Sequence, residues 1–60
     1  MAAVGEQYTK NKQTYTIVKI NNTEFEYIYL LKDGDEDVGK NYMCYGKKVF
    51  QQLFNKKEES

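Results

Sequence analysis

The stretch that decides the fold is Thr14-Tyr15-Thr16-Ile17-Val18-Lys19-Ile20-Asn21-Asn22-Thr23-Glu24-Phe25-Glu26-Tyr27-Ile28-Tyr29-Leu30-Leu31. β-Branched and aromatic residues crowd both of its halves, and such residues favour a pleated, half-buried surface. Two strands follow, over 14–20 and 24–31, joined at Asn21-Asn22, because asparagine tolerates the positive φ of a tight hairpin. The first strand does not alternate cleanly. Tyr15 and Ile17 share one face and Val18 and Ile20 the other, so either both faces are covered or a bulge re-aims one side chain. The second strand alternates well: Phe25, Tyr27, Tyr29 and Leu31 on one face, Glu24, Glu26, Ile28 and Leu30 on the other. The row of rings reads as the core face.

Outward from this hairpin the chain is short of apolar material. Gly5 suits a turn, and 4–8 reads as a short edge strand. The polar run 9–13 reads as a solvated loop or hairpin tip. Asp33-Gly34 is a strong turn signal, with Gly39 a second flexible point in the break over 32–40. The run 41–45 reads as another strand, closed by Gly46. Then the period changes. Val49, Phe50, Leu53 and Phe54 make one stripe of a helix over 47–55, too short to hold alone in water, so it must dock Phe50 and Phe54 on the hairpin. Residues 1–3 and the charged tail 56–60 read as disordered, leaving one domain over 4–55.

Sixty residues bury only about 60% of the surface that the unfolded chain exposes, so such a domain depends on good packing or self-association. One cysteine excludes an internal disulfide, and one cysteine without histidine excludes the usual four-ligand zinc cages. Nine lysines balance nine acids and there is no arginine, which argues against duplex DNA and anionic membranes as partners. No apolar run approaches transmembrane length and the amino terminus lacks the pattern of a signal peptide; with a lone thiol, this points to the cytoplasm.

Candidate chemistry is sparse. Asp33, Asp35 and Asp37 have the 1, 3, 5 spacing of a calcium loop, but the sixth position is Val38 and the twelfth is Cys44, so a solvated turn is the reading and no metal or cofactor is expected. Cys44 has no histidine to make it a thiolate, and reads as a small buried thiol. Catalysis is not expected, for want of a walled pocket and of any glycine-rich phosphate loop. Six tyrosines and three phenylalanines exceed what so small a domain can bury, and exposed rings mark a contact surface. Tyr15, Tyr42 and Tyr45, with Asp35 and Glu36 of the acidic loop, are the expected contact residues for a protein partner. The two-faced strand 24–31 and the edge strand near Tyr42 are the expected surfaces.

The order of parts carries a resemblance. Gly5-x-x-Tyr8, a polar tip, Tyr15-Thr16-Ile17-Val18-Lys19-Ile20, a tyrosine-rich partner strand, a variable loop and Phe50-x-x-x-Phe54 together resemble the small SH3-like barrel proteins encoded by phages and prophages. The resemblance implies binding rather than catalysis, as a regulator or inhibitor of a host protein, and it carries over no site residue. The expectation is therefore a mainly β (α+β) domain, an SH3-like antiparallel barrel or, failing that, an open three- or four-stranded sheet completed by a second copy, with one short C-terminal helix. Its core is Phe25, Tyr27, Phe50 and Phe54, with Tyr29 beside them. Its function is non-catalytic protein binding, with a homodimer among its forms. The alternative is single-stranded nucleic-acid binding through strand tyrosines and lysines.

Overall fold

A computed structural model describes residues 2–22 and 25–57 of the chain. In order they form β1 (Gln7–Lys10), β2 (Gln13–Asn22), β3 (Glu26–Lys32), a 3-10 turn (Gly39–Asn41), β4 (Met43–Gly46), α1 (Lys47–Leu53) and β5 (Asn55–Lys56). The strands make one antiparallel sheet in the order β4-β3-β2-β1-β5. The fold is mainly β with one short helix, as the sequence indicated. The sheet has five strands and stays open: β4 and β5 are its two edges and do not pair to close a barrel.

Register on β2 explains the irregular pattern there. Ile17 pairs with Leu30 and Lys19 with Tyr29, so Val18 is an extra residue, a bulge. The bulge restores phase. Ile17 and Ile20 sit three apart, yet both face inward, where Ile20 pairs with Ile28. The buried core is Tyr15, Ile17, Ile28, Leu30, Phe50 and Phe54, with Ala2, Tyr8, Ile20, Met43 and Tyr45 packed against it. Burying each of Ile17, Ile28 and Leu30 is worth about 1.5–3 kcal/mol.

This reverses the expected facing of β3. Phe25 is 67% exposed and Tyr27 40%, so neither belongs to the core, while Ile28 and Leu30 are fully buried. The side chains of one face must all go in together, because the strand period is two. Ile28 and Leu30 oppose the inward Ile20 and Ile17, and aliphatic side chains have no polar end to leave in water. Tyrosine does, so the ring row took the outside.

Local chemistry places the turns. The tight hairpin lies at Asn11-Lys12, both at positive φ (50° and 66°), which is a type I′ turn between β1 and β2. Asn21 and Asn22, expected as the turn, instead pair with Tyr27 and Glu26 as the end of β2. That connection runs on through Thr23 and Glu24, which lie outside the described residues. Gly5 takes φ 94°, and its N–H donates to the Ile17 carbonyl at 2.9 Å, so β1 begins beside β2. With β5 on its other side, β1 is an interior strand rather than the edge strand expected.

The helix does dock, and with the expected rings. Phe50 and Phe54 stack at 5.2 Å, Phe50 meets Tyr8 edge-on at 4.7 Å, and Phe54 meets Tyr15 and Tyr45 edge-on, each at 5.3 Å. It ends two residues earlier than the stripe suggests. Phe54 turns extended (φ −114°, ψ 143°), letting Asn55 and Lys56 pair with Thr9 and Tyr8. Lys56 also meets Glu6 at 2.8 Å and the Lys57 N–H donates to the Gln7 carbonyl, so the expected disordered tail is part of the sheet as far as Lys56; residues 58–60 lie outside the described residues. At the other end, Ala2 packs on the core and the Ala3 N–H donates to the Glu6 carboxylate at 2.6 Å, which orders a segment expected to be loose.

Candidate functional site

Helix α1 covers one face of the sheet. On the other face, the outward positions of the central strands include Thr16, Lys19, Asn21, Tyr27, Tyr29, Leu31 and Cys44, set by the pairings Thr16↔Leu31, Asn21↔Tyr27, Lys19↔Tyr29 and Tyr29↔Cys44. Glu26 is the one carboxylate within the five strands, and it turns to the helix side, where it meets Lys47 at 3.3 Å. These outward positions are therefore neutral polar, aromatic and, at Leu31, aliphatic, with Lys19 their one charged group. The Lys19 ammonium lies 5.6 Å from the centre of the Tyr29 ring. The Cys44 thiol beside the Tyr29 hydroxyl raises that phenol above its ordinary value of 10.0.

Where this face meets the start of α1, the surface dips. The hollow, of about 440 Å³, is lined by Phe25, Glu26, Tyr27, Gly46, Lys47, Lys48 and Val49. Its floor follows from sequence: Gly46 stands directly opposite Tyr27 and contributes no side chain. Phe25, Tyr27 and Val49 are all exposed around it. Val49 and Leu53, one turn apart on the outer side of α1, extend the apolar strip. A second, deeper cleft of about 310 Å³ lies under the helix, lined by rings of the core and by the Glu26–Lys47 pair.

The expected contact residues do not gather into one site. Tyr15 is 8% exposed and edge-on to Phe54, so it is core and not a contact residue. Tyr45 is half-buried on the inner face against the same ring. Tyr42 is half-buried just ahead of β4, with extended backbone (φ −75°, ψ 139°). Asp35 and Glu36 are exposed in the loop, which Asn41 ties to the start of β4 by donating from Nδ2 to the Glu36 carbonyl at 2.9 Å. Cys44, expected buried, is exposed on the outer face.

No family model, curated protein or solved structure matches the chain. Among the described residues no three histidine, cysteine, aspartate or glutamate side chains group to hold a metal, and no helix is long and apolar enough to cross a membrane. The residues that reasoning from sequence passed over are Phe25, Tyr27 and Val49. Val49 was readable: the stripe Val49, Phe50, Leu53, Phe54 is wider than a two-turn helix on a small sheet can bury. The β3 rings were not, since their face depends on the bulge in another strand.

Proposed function

We propose that this chain is a non-catalytic binding module that engages a protein partner through the hollow and the rings around it. The observation that carries the reading is the cluster of Phe25, Tyr27 and Val49, exposed together between β3 and α1. Rings of this kind supply contact area at low entropic cost, and exposed apolar clusters of this kind mark contact surfaces. In keeping with the order of elements noted in the sequence, the partner is a host protein that a phage-type regulator or inhibitor would hold, in a reducing compartment that keeps Cys44 free. Affinity capture by the wild-type chain and by Phe25→Ser/Val49→Ser tests it. Both side chains are exposed, so the variant folds and a specific partner is lost. Equal recovery of that partner by both proteins rules out this surface.

A second reading rests on a separate observation: Tyr27 and Tyr29 lie two residues apart on a face to which the described strands turn no carboxylate, with Lys19 against Tyr29. Same-face rings about 6.7 Å apart along a strand suit successive bases of a stretched single strand. Retention of the chain by oligothymidylate at low salt, lost as salt rises and lost on Tyr29→Ala, supports it; flow-through at low salt excludes it.

A further inference from the structure

The free edge of the sheet at β4 adjoins the hollow, and this conjunction identifies an occupant. We propose that two copies of the chain join β4 to β4, antiparallel, with Cys44 at the two-fold axis and the Tyr42 ring of each copy seated over Gly46 of the other. The proposal rests on reading the hollow as a protein contact.

Three features of the structure carry it. First, β4 pairs with β3 on one side and, among the described residues, no strand pairs on its other side, so a row of backbone donors and acceptors faces outward. Second, register fixes the geometry. Positions 42, 44 and 46 share the outer face, since Cys44 and Gly46 oppose the outward Tyr29 and Tyr27 and the extended backbone of Tyr42 continues the strand. With Cys44 opposite the partner's Cys44, Tyr42 falls opposite the partner's Gly46, and Met43 opposite the partner's Tyr45. All helices then lie on one side of a single continuous sheet. A one-residue slip would turn one copy over. The Tyr42 ring meets the partner's Tyr27 across a glycine that offers no side chain, an arrangement in which a ring covers the exposed glycine of a neighbouring strand.

Third, charge is complementary twice over. The acidic loop, with Asp33, Asp35, Glu36 and Asp37, leads into the start of β4, and Asn41 holds Glu36 there; Lys47 and Lys48 follow its end. Antiparallel pairing turns the loop end of β4 in each copy toward the partner's Lys47 and Lys48, with Lys40 the one like charge at that end and Lys47 also paired with Glu26 of its own copy. A two-fold axis doubles every contact it makes. Phe25 and Val49 stay at the two ends of the joined sheet, open to a further partner.

The full chain tests this directly. Sedimentation equilibrium is expected to show the mass rising with concentration toward twice 7.1 kDa. Oxidation by copper phenanthroline is expected to trap a Cys44–Cys44 disulfide over the same concentration range. A Cβ at Gly46 meets nothing within 4 Å and the residue has φ −63°, so Gly46→Leu leaves the monomer intact while filling the seat of Tyr42. It should weaken the dimer tenfold or more, about one pocket-filling ring per copy. Tyr42→Ala should do the same without touching α1. Lys48→Glu and Glu36→Lys should each weaken dimerisation several-fold, and the double swap should restore it. A chain that remains monomeric at about 1 mM overturns the proposal. So does a dimer indifferent to both Gly46→Leu and Tyr42→Ala, or a disulfide that forms equally fast in urea. A monomer that still captures a foreign protein through Phe25 and Val49 refutes the dimer alone and leaves the binding module standing.

Discussion

Two phenylalanines given the same substitution should behave oppositely, and the difference follows from which face of β3 is inside. Phe54 is 4% exposed. Its ring is stacked on Phe50, is met edge-on by Tyr15 and Tyr45, and has the Lys10 ammonium 5.7 Å from its centre. Truncation to alanine removes the transfer energy of a buried ring and opens a cavity in a single small core, about 3–5 kcal/mol. The whole stability of a chain of 60 residues is about 3–9 kcal/mol, taking about 0.05–0.15 kcal/mol per residue. Phe54→Ala should therefore be largely unfolded at room temperature. Phe54→Leu, which keeps most of the volume, should fold with a loss of about 1–2 kcal/mol. Phe25 is 67% exposed, and Phe25→Ala should stay within about 0.5 kcal/mol of the wild type. Urea unfolding followed by far-ultraviolet circular dichroism reads all three, with an unchanged slope showing that midpoints report stability. Comparable losses for Phe25→Ala and Phe54→Leu would mean that the rings of β3 face inward, and would sink the reasoning about both core and surface.

Other perturbations separate backbone from side-chain causes. Gly5 has φ 94°, so Gly5→Ala should cost about 1–2 kcal/mol, whereas Gly46→Ala, at φ −63° with open space around it, should cost well under 1 kcal/mol; thermal melts distinguish them. Lys12 sits at φ 66° in the type I′ turn, and Lys12→Gly should raise the urea midpoint by relieving about 0.5–1 kcal/mol. The Lys56 ammonium, and then the Ala3 N–H, hold the Glu6 carboxyl below its ordinary value of 4.5. A depressed carboxyl takes up its proton more readily in the unfolded chain. Its contribution is therefore in place above about pH 4.5 and is lost as pH falls through its folded value. Stability of Glu6→Gln should accordingly fall less steeply between about pH 5 and 3, and a parallel acid limb in the two proteins would show that the Lys56 contact contributes nothing.

The parts of this fold that were legible in sequence are those set by nearest neighbours. Strand runs around 14–20 and 24–31, the breaks at Gly5 and Asp33-Gly34, and the docking of Phe50 and Phe54 all follow from local composition and period, and the structure has them. What failed depends on distant pairing. The hairpin was placed at Asn21-Asn22 because asparagine suits left-handed turns. The β2–β3 ladder runs through both residues, and the left-handed turn fell at Asn11-Lys12, where lysine is an unfavoured choice that β1–β2 pairing imposes. Helix α1 was read through Asn55 from its stripe, yet the exposed edge of β1 offers Asn55 and Lys56 a ladder that one more helical turn cannot match. The contact residues mixed two kinds of tyrosine. Tyr15 and Tyr45 oppose inward residues of β3 and so pack on Phe54, whereas Tyr42 precedes its strand and has no such constraint.

One decision in β2 links core to surface. Were β2 a regular strand through Val18, with no bulge there, Ile17 and Ile20 would face opposite sides, and the register that places Leu30 and Ile28 against them would have no aliphatic layer to complete. With it, four aliphatic side chains fill the layer beneath α1, and the same strand period must put Phe25, Tyr27 and Tyr29 outside. The exposed rings are thus a consequence of how the core was closed, and the small size of the domain leaves nothing to cover them. Deleting Val18 should therefore remove the bulge and spare the layer: Ile17, Lys19 and Ile20 would alternate regularly, isoleucines in and lysine out, so the variant should fold with the rings of β3 still outside and the hollow beside Gly46 intact. A deletion variant that fails to fold, or in which acrylamide quenches tyrosine fluorescence much less than in the wild type, would show that Val18 does more than keep Ile17 and Ile20 in phase.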